Sequence, residues 1–338
     1  MDAPGLVPDS INCHACGALI DLTGQTGFTH VECKRCEALS VVPLQFSDFL
    51  LLSPIGSGSI GTVYKAIDLP LNRYVALKIL PRKLSANPES VNNFSREARA
   101  AAVNHQNVAQ VYTFGECDGQ YFIAMELLEH GSLDDRITKL GKLPEADVLS
   151  IGTQVASALR AAWGRGLLHR DVKPGNILFN EREVPKLVDF GLARSLGKDT
   201  AGTSESFEHV WGTPYYIAPE KLRGQPEDFR SDIYSLGATL FHAAAGRPPF
   251  DAATTGEVIT KHVTQPALLR TYAPTVHDRT MQVITCMLAK DPEDRYGSYD
   301  ELIEELSAAE EDLKPRPTSG RRSLLGFLGL RSRAETGA

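Results

Sequence analysis

Hydrophobic and polar positions divide the chain into stretches of different character. Residues 1–44 hold paired cysteines and several glycines, and they show little helical periodicity. From Phe46 onward short apolar and β-branched runs predict strands, and one helical pattern at 88–103 interrupts them. After Gly131 apolar residues recur at helical spacing. A strand-rich part followed by a helix-rich part predicts two lobes of α+β character.

The predicted elements give three domains. Residues 1–44 form a small module, 46–313 the main domain, and 314–338, rich in Arg, Ser, Gly and Pro, a basic tail. No internal repeat is evident. The predicted strands are 49–55, 62–67, 74–80, 108–114 and 121–127. The later predicted helices are 133–140, 146–163, 231–245, 280–288 and 301–313.

Composition excludes several classes of protein. The chain is 42% hydrophobic and 23% charged, which is typical of a globular protein. Its net charge of −7 gives no overall attraction to nucleic acid, so no such partner is expected. The sequence shows neither a secretory signal pattern nor the roughly 20 consecutive apolar residues of a spanning helix. We therefore expect a cytoplasmic protein without a transmembrane segment.

Four of the six cysteines form two close pairs near the start of the chain. Cys13 and Cys16 make one C-x2-C pair, Cys33 and Cys36 the other, and 16 residues separate the pairs. Two such pairs can bring four thiolates to the corners of a tetrahedron, the geometry that Zn²⁺ prefers. Gly17 allows a tight turn that would aim backbone amides at the sulfurs. The segment is too small for a useful core, so the metal would supply its folding free energy.

The paired pattern predicts a structural zinc site in a module that looks like a zinc ribbon. A closed site with four cysteine ligands has no open position for chemistry, so its role would be recognition or scaffolding. The alternatives are four unrelated reduced cysteines or a redox pair. His14 and His30 are alternative ligands, but they lie outside the paired pattern, and we interpret them as surface histidines.

A glycine-rich segment lies between the first two strands predicted for the main domain. It reads I-G-S-G-S-I-G-T-V over residues 55–63. Glycines let backbone amides approach phosphate oxygens closely. A dinucleotide-binding turn uses the same glycines, but a helix follows it, whereas a strand is predicted here. The candidate nucleotide-binding residues in the segment are Ile55, Gly56, Ser57, Gly58, Gly61 and Val63.

A lysine and a glutamate form the next candidate pair. Alternation in the third predicted strand places Lys78 on the same face as the small Ala76. The helix that follows, with Asn87 as its expected cap, carries Glu97 on a largely apolar face. A carboxylate there needs a partner, and Lys78 is the obvious one. The alternatives are a solvated lysine at a strand edge and a glutamate in water at the edge of the helix face.

Three later motifs complete the pattern. They occur in the order H-R-D-V-K-P-G-N at 169–176, D-F-G at 189–191 and A-P-E at 218–220. With the glycine-rich segment and Lys78, they resemble the eukaryotic-type protein kinase family. The resemblance runs from about residue 49 to residue 313.

The wording of two motifs narrows the resemblance. F-S-R-E-A at 94–98 and S-D-I-Y-S-L-G at 231–237 are similar to the eukaryotic-like kinases of bacteria. The resemblance implies an α+β bilobal protein kinase fold. Its small β-rich N-lobe would contain one key helix, its C-lobe would be larger and helical, and the zinc ribbon would precede both.

The resemblance also implies roles at the reaction centre, where positioning and charge neutralisation dominate phosphoryl transfer. Asp171 would accept or orient the substrate hydroxyl proton, and Lys173 would contact the γ-phosphate of ATP. Asn176 and Asp189 would hold Mg²⁺ or Mn²⁺. Lys78, tied to Glu97, would fix the α- and β-phosphates, which the three glycines of the segment would cover.

The adenine ring would lie between the lobes. The run 121–128 would end in the hinge that joins them. Glu126 and Leu128 would offer backbone groups to adenine, and Val63, Ala76 and Leu178 would sandwich the ring.

Lys173, two residues after Asp171, resembles the serine/threonine branch, and so does G-T-P-Y-Y at 212–216, where Thr213 would lie near Asp171. The implied function is transfer of the ATP γ-phosphate to Ser or Thr of protein substrates, with autophosphorylation in the activation segment. One alternative is a pseudokinase-like scaffold that binds partners through the zinc module, although every catalytic residue is present. Another is a kinase-fold enzyme acting on small molecules, although A-P-E and the threonine-proline loop favour protein substrates.

The activation segment suggests a form of regulation. In the family, the arginine at the position of Arg170 often receives a phosphate from this segment. Thr200, Thr203 and Ser204 are the candidate phosphosites, and the alternative is a polar loop with incidental hydroxyls.

Two structural roles and one departure from the family pattern are also implied. Asp232 would brace the catalytic loop, and Arg295 would pair with Glu220. Ala101 stands where the family usually places a larger apolar residue against Phe190, which predicts a loosely held helix.

The tail mixes arginines with apolar residues. It is predicted to lie on a membrane surface, dock a partner or plug the kinase, or else to be disordered.

Overall fold

The structure is a computed structural model that describes residues 5–58, 61–100, 103–190 and 214–314. Within these ranges the side chains at positions 58, 96, 97, 99 and 100 are not described. Several predictions therefore fall outside the described residues. They concern the Glu97 side chain, Ala101, Thr200, Thr203, Ser204, Thr213 and the tail from residue 315 onward.

Strands dominate the first third of the chain and helices the remainder. The strands are β1 (Ser10–Asn12), β2 (Leu19–Asp21), β3 (His30–Glu32), β4 (Leu39–Val41), β5 (Leu44–Phe46), β6 (Phe49–Gly58), β7 (Gly61–Asp68), β8 (Arg73–Ile79), β9 (Val111–Cys117), β10 (Gln120–Met125), β11 (Ile177–Phe179) and β12 (Pro185–Leu187). The helices are α1 (Arg82–Ser85), α2 (Pro88–Ala100), α3 (Leu133–Leu140), α4 (Glu145–Trp163), α5 (Pro219–Leu222), α6 (Phe229–Ala245), α7 (Thr255–Thr264), α8 (Leu269–Tyr272), α9 (Asp278–Met287) and α10 (Tyr299–Asp312).

The predicted two-lobe division is confirmed. Strands β5 to β10 form one antiparallel sheet in the order β5-β6-β7-β8-β10-β9, and α2 packs on it. The Asn87 cap is confirmed too, because its Oδ1 accepts hydrogen bonds from the amides of Glu89 at 2.9 Å and Ser90 at 3.2 Å. The strand predicted at 108–114 is displaced to Val111–Cys117. Val108 instead bridges to Leu187, which ties this segment to the C-lobe.

The sheet register assigns side chains to its two faces. Val63 lies opposite Lys78, and Met125 lies opposite Ala76, so these four share one face. Helix α2 covers part of this face through the fully buried Phe94. The other face carries an apolar cluster. Its members on β7, β8 and β10 are Tyr64, Ala66, Val75, Leu77, Ile79, Phe122 and Ala124.

Long helices form the core of the C-lobe. Helices α4 and α6 form the centre of the largest apolar cluster, and α9 and α10 pack around them. The backbones come close, because a Cβ added at Gly237 in α6 would lie 2.7 Å from the Cβ of Met287. All five helices predicted after Gly131 form within two residues of their expected ends. The sequence did not predict α7, in which only Thr255, Val258 and His262 are buried, or the short β11–β12 hairpin.

The N-terminal module is an internal repeat, which the sequence analysis missed. Hairpins β1–β2 and β3–β4 carry one cysteine pair each, and Cys33 follows Cys13 by 20 residues. Each turn has the same backbone bonds: Cys13 and Cys33 accept from the residue four positions later at 2.9 and 2.8 Å. Gly17 and Glu37, the donors, both have φ near +60 to +70°.

The module is continuous with the N-lobe sheet. Strand β5 pairs with β6 in antiparallel register, and Leu6 bridges to Gln45 beyond it. The domain boundary predicted between residues 44 and 46 thus falls inside a strand. Among the described residues, no helix combines the length and apolar character needed to cross a membrane.

Candidate active site

The loop between α4 and β11 gathers three of the predicted catalytic residues. The Asp171 carboxylate accepts hydrogen bonds from Lys173 Nζ at 2.7 Å and Asn176 Nδ2 at 2.9 Å. Asn176 Nδ2 also donates to the Asp171 carbonyl at 2.8 Å. A 3-10 turn over Pro174–Asn176 returns the chain toward Asp171. The loop therefore holds a carboxylate, an ammonium and an amide within direct contact.

A buried carboxylate stabilises the strained backbone conformation of Arg170. Arg170 has φ +66°, a conformation that costs a non-glycine residue roughly 1–3 kcal/mol. Asp232 on α6 accepts hydrogen bonds from the amides of His169 at 2.8 Å and Arg170 at 2.7 Å. Burial raises the pKa of Asp232, and these amides and the charge of His169 oppose that rise. The predicted bracing of the catalytic loop by Asp232 is confirmed.

His169 joins the catalytic loop to the segment that carries Asp189. Its Nε2 lies 2.9 Å from the carbonyl oxygen of Val188, and its ring meets Phe190 edge-on at 4.7 Å. His169 and Phe190 are both buried. Asp189 itself has φ +59°, a second strained position in the site. The contacts of His169 with Val188 and Phe190 fix the backbone on both sides of Asp189 and so position its carboxylate.

The two lobes meet through Lys78 and Asp189. Lys78 Nζ lies 2.8 Å from Asp189 Oδ1, with side chains 5% and 32% exposed. Lys78 comes from β8 of the N-lobe, whereas Asp189 follows β12 of the C-lobe. The predicted partner, Glu97, has no described side chain, so its pairing with Lys78 stays a prediction.

The segment after β10 presents backbone groups between the lobes. Within the described part of the chain, neither the Glu126 carbonyl nor the Leu128 amide has a backbone partner. The Glu126 amide, in contrast, donates to the Gln110 carbonyl at 2.8 Å, and its carboxylate accepts from Lys186 at 2.9 Å. This arrangement fixes the segment while leaving two backbone groups for a ligand.

The predicted ring-binding residues lie on facing lobes. Val63 and Ala76 share the Lys78 face of the sheet, and Leu178 lies on β11 of the C-lobe. Ser132 bridges to Leu178, which holds that strand against the start of α3. The described part of the glycine-rich segment forms the end of β6 and the start of β7, where Gly56 pairs with Val63. A cavity behind Met125 is lined by Ala109, Val111, Ile123, Leu187, Val188, Asp189 and Phe190.

Two charged residues beside the catalytic loop were not singled out from the sequence. Lys221 donates to the Arg170 carbonyl at 3.2 Å, and its Nζ lies 3.9 Å from Glu227. Glu227 also approaches Arg170 Nε at 3.8 Å. Burial lowers the pKa of Lys221 and raises the pKa of Glu227. Neither residue belongs to a motif, so only their proximity to A-P-E could have marked them.

Glu220 and Arg295 form the ion pair that the resemblance implied. Two guanidinium nitrogens lie 2.7 and 2.8 Å from the two carboxylate oxygens, and Ser231 Oγ donates to the same carboxylate at 2.6 Å. Burial alone would raise the pKa of Glu220, but the hydrogen bonds and charge of Arg295 outweigh it and lower the pKa. The pair anchors α5 to the segment between α9 and α10.

The four paired cysteines converge at the tips of the two module hairpins. Their sulfurs all lie within 4.8 Å of one another. Cys13 Sγ is 3.6 Å from Cys36 Sγ, and Cys16 Sγ is 3.7 Å from Cys33 Sγ. Four thiolates around zinc, each at about 2.3 Å, are separated by about 3.8 Å, so the spacing fits the metal. Hydrogen bonds from the amides of Cys16 and Ala15 lower the pKa of Cys13 to about 6.

Comparison with known proteins assigns the chain to a family. A family model described as the protein kinase domain matches residues 49–307. A probable serine/threonine-protein kinase of Clostridium perfringens is 37% identical over 78% of this chain and 38% of its own length. The serine/threonine-protein kinase PrkC of Bacillus subtilis is 35% identical over 77% of this chain and 40% of its own length. The chain thus spans about two fifths of these relatives.

A solved structure agrees with the sequence relatives. The kinase domain of Mycobacterium tuberculosis PknI, in a mutant form, superposes with a TM-score of 0.62 at 31% identity. The match covers 79% of this chain and 97% of that one. The sheet-rich N-lobe and helical C-lobe described above are therefore those of the protein kinase fold, and the chain belongs to the protein kinase domain family.

Proposed function

We propose that this chain transfers the γ-phosphoryl group of ATP to serine or threonine hydroxyls of proteins. The observation that carries the proposal is the placement of two sets of charged and polar side chains between the lobes. Asp171, Lys173 and Asn176 are hydrogen-bonded together on one side, and the Lys78–Asp189 contact spans the lobes beside them. Phosphoryl transfer needs this combination of a proton acceptor, cations and metal ligands in fixed positions.

Each residue takes a role that its contacts support. Asp171 orients the substrate hydroxyl and accepts its proton, while Lys173 neutralises charge on the γ-phosphate. The amide nitrogen of Asn176 is held by Asp171, which leaves its oxygen, with the Asp189 carboxylate, as a ligand for Mg²⁺ or Mn²⁺. The metal would neutralise the phosphate charges. Lys78, with Glu97 as its predicted second partner, fixes the α- and β-phosphates.

The adenine site follows from the hinge geometry. The Glu126 carbonyl and the Leu128 amide would bond the ring edge, and Val63, Ala76 and Leu178 would cover its faces. Gly56, Gly58 and Gly61 would place backbone amides over the phosphates. Two observations support serine or threonine rather than tyrosine as the substrate residue. Lys173 lies close to Asp171, and the relatives are named as serine/threonine kinases.

Regulation by phosphate remains part of the proposal. Arg170 would receive a phosphate from Thr200, Thr203 or Ser204 after autophosphorylation. Glu227 already approaches the Arg170 guanidinium, so a phosphate would have to compete with this carboxylate. Docking of partners through the module or the tail also stays a prediction. The scaffold alternative is not favoured, because Asp171, Lys173 and Asn176 are hydrogen-bonded together and Lys78 contacts Asp189.

The direct test is transfer of radiolabelled phosphate from ATP with Mg²⁺ to the chain and to a generic basic protein. Label on serine and threonine is the expected result, with the sites mapped by mass spectrometry. Nucleotide binding without transfer to any protein, in the presence of Mg²⁺ or Mn²⁺, would contradict the proposed activity. Transfer to tyrosine alone would contradict the proposed substrate class.

We also propose that Cys13, Cys16, Cys33 and Cys36 hold one structural Zn²⁺. Their spacing fits four thiolate ligands, and a second observation is that none of the sulfur pairs is near the 2.05 Å of a disulfide. The module core around them is small, so the metal would supply much of its stability.

Replacing Cys33 with Ser is expected to abolish zinc binding and lower the thermal midpoint, because three ligands hold a structural zinc far less tightly than four. Elemental analysis of the purified full chain should give about one zinc per chain for the wild type. Cys286→Ser is the matched control, because Cys286 lies on α9 far from the cluster in sequence and donates to the Asp294 carbonyl at 3.5 Å. Full zinc content in Cys33→Ser would exclude this ligand set.

A further inference from the structure

The N-terminal module covers the face of the N-lobe sheet that points away from α2. Tyr64, Leu77 and Phe122 belong to the apolar cluster on this face. Val7 and Phe28 of the module pack against that cluster, and Leu44 of β5 is part of it. Val7 also contacts the module's own core, which contains Cys13 and Cys33. One continuous apolar region therefore runs from the cysteine cluster to the sheet.

Phe28 makes the most specific contact in this region. Its ring stacks on Tyr64 with centroids 5.7 Å apart and planes 18° from parallel. Its backbone has φ +65°, which is a strained value for a bulky residue. Such strain persists only where the surroundings over-determine it. Here the Phe28 amide donates to the Val42 carbonyl at 2.6 Å, and the Val42 amide donates to Thr29 at 2.8 Å.

The chain beside Phe28 is packed too closely to shift. A Cβ added at Gly27 would lie 2.5 Å from Cδ2 of Leu44. Leu44 belongs to β5, which is itself a strand of the N-lobe sheet. The base of the second module hairpin is thereby packed against β5 directly beside Phe28.

The same hairpin carries half of the metal ligands. Strand β3 leads from Phe28 to Cys33, and β4 returns from Cys36 to Val42. A metal bound by these cysteines would hold the two strands together at the tip, and the bonds of Val42 to Phe28 and Thr29 hold them at the base. Loss of the metal would release the tip and loosen the base.

Tyr64 connects this contact to the nucleotide site. It lies between Val63 and Lys65 on β7, and its cross-strand partner Leu77 precedes Lys78 on β8. We propose that Phe28 is a positioning residue for nucleotide binding, which couples the metal module through Tyr64 to the strands that carry Val63 and Lys78. The inference rests on the proposed kinase function and zinc site and adds a link between them.

The test compares Mg·ATP dissociation constants by calorimetry in the full chain, with zinc content and thermal midpoint measured on the same samples. Phe28→Ala is expected to weaken Mg·ATP binding by about fivefold, the effect of losing one aromatic stack, while the zinc content stays unchanged. Phe28→Tyr should keep the wild-type affinity for Mg·ATP, because tyrosine retains the aromatic stack on Tyr64. Phe28→Leu keeps apolar bulk without the stack and should resemble Phe28→Ala even if its thermal midpoint recovers. Leu19→Ala, which shortens a side chain that is 72% exposed in the same module, should leave the affinity unchanged.

Removing zinc with a chelator gives the second arm. It should weaken Mg·ATP binding in the wild type by about the same factor and add little in Phe28→Ala, because both changes break one connection. Wild-type affinity in Phe28→Ala and Phe28→Leu, or fully additive effects of chelation, would overturn the coupling alone. A wild-type chain that binds Mg·ATP but holds no zinc would refute the zinc site and the coupling with it. A chain that holds zinc but binds no nucleotide would instead refute the kinase proposal, and the coupling would fall with it.

Discussion

Asp171→Asn is expected to lower the rate of phosphate transfer by about 10³-fold, within the range found for loss of a general base. The carboxylate of Asp171 is the acceptor in two hydrogen bonds, from Lys173 and from Asn176. An asparagine has nearly the same shape, so the loop should keep its course. Its oxygen can keep both donors, because Lys173 and Asn176 bond the same carboxylate oxygen, Oδ2, but its amide cannot accept the substrate proton.

The measurement is the single-turnover rate with saturating ATP and Mg²⁺, alongside the dissociation constant for Mg·ATP. The rate should fall while the dissociation constant changes little, because Lys78 and the hinge, which are the proposed nucleotide-binding groups, are untouched. Asp147→Asn is the control: it is the same substitution at an exposed position on α4. Wild-type transfer by Asp171→Asn would rule out the role assigned to this carboxylate.

The catalytic geometry was largely predictable because its residues lie in short motifs. Asp171, Lys173 and Asn176 occur within six consecutive residues, and the loop folds them together locally. Lys78 and Asp189 come from distant segments, and each lies in a recognisable pattern. Their contact with each other was not predicted, because the sequence analysis gave Glu97 as the partner of Lys78 and Asp189 only as a metal ligand.

The position of the module could not be inferred in this way. Its contact with the N-lobe depends on Phe28 and Tyr64, and neither residue has a motif or a periodic neighbour that marks it. Alternation along β7 predicts that Tyr64 and Val63 point to opposite faces of the sheet, but it does not predict what covers Tyr64. The repeat of the two hairpins was visible, since C-x2-C-x-A-L occurs at 13–19 and again at 33–39.

Charged residues without motifs were the other omission. Lys221 is buried and Glu227 is half-buried beside Arg170, where each offsets the cost of burying the other. In the sequence both look like surface residues, because lysine and glutamate are seldom buried. Only the fold of α5 and of the segment after it turns them toward the catalytic loop.

Arg295→Met is expected to destabilise the fold by about 3–5 kcal/mol, the usual cost of removing one partner of a buried ion pair. The side chains of Arg295 and Glu220 are 0% and 3% exposed, and two parallel hydrogen bonds join them. Methionine fills part of the space but leaves the Glu220 carboxylate with Ser231 as its remaining side-chain donor. Equilibrium unfolding in urea, monitored by circular dichroism, would measure the loss.

The pH dependence identifies the cause of this loss. In the wild type the lowered pKa of Glu220 adds stability above the pKa of the unfolded carboxyl, and that stability disappears as the pH falls through the folded pKa. Without Arg295, burial should raise the pKa of Glu220, so the variant should lose stability as the pH rises instead. The difference between the two proteins should therefore be largest near neutral pH and shrink in acid. Glu220→Gln added to Arg295→Met should flatten the variant's pH dependence. Arg279→Met is the matched control, because that arginine pairs with Glu305 and Asp312 at the surface, with 39% of its side chain exposed, and its loss should cost far less stability. Two outcomes would contradict this explanation: equal losses of stability in the two arginine variants, or a loss in Arg295→Met that does not change with pH. Either would show that the buried charge of Glu220 is not the cause of the stability lost with Arg295.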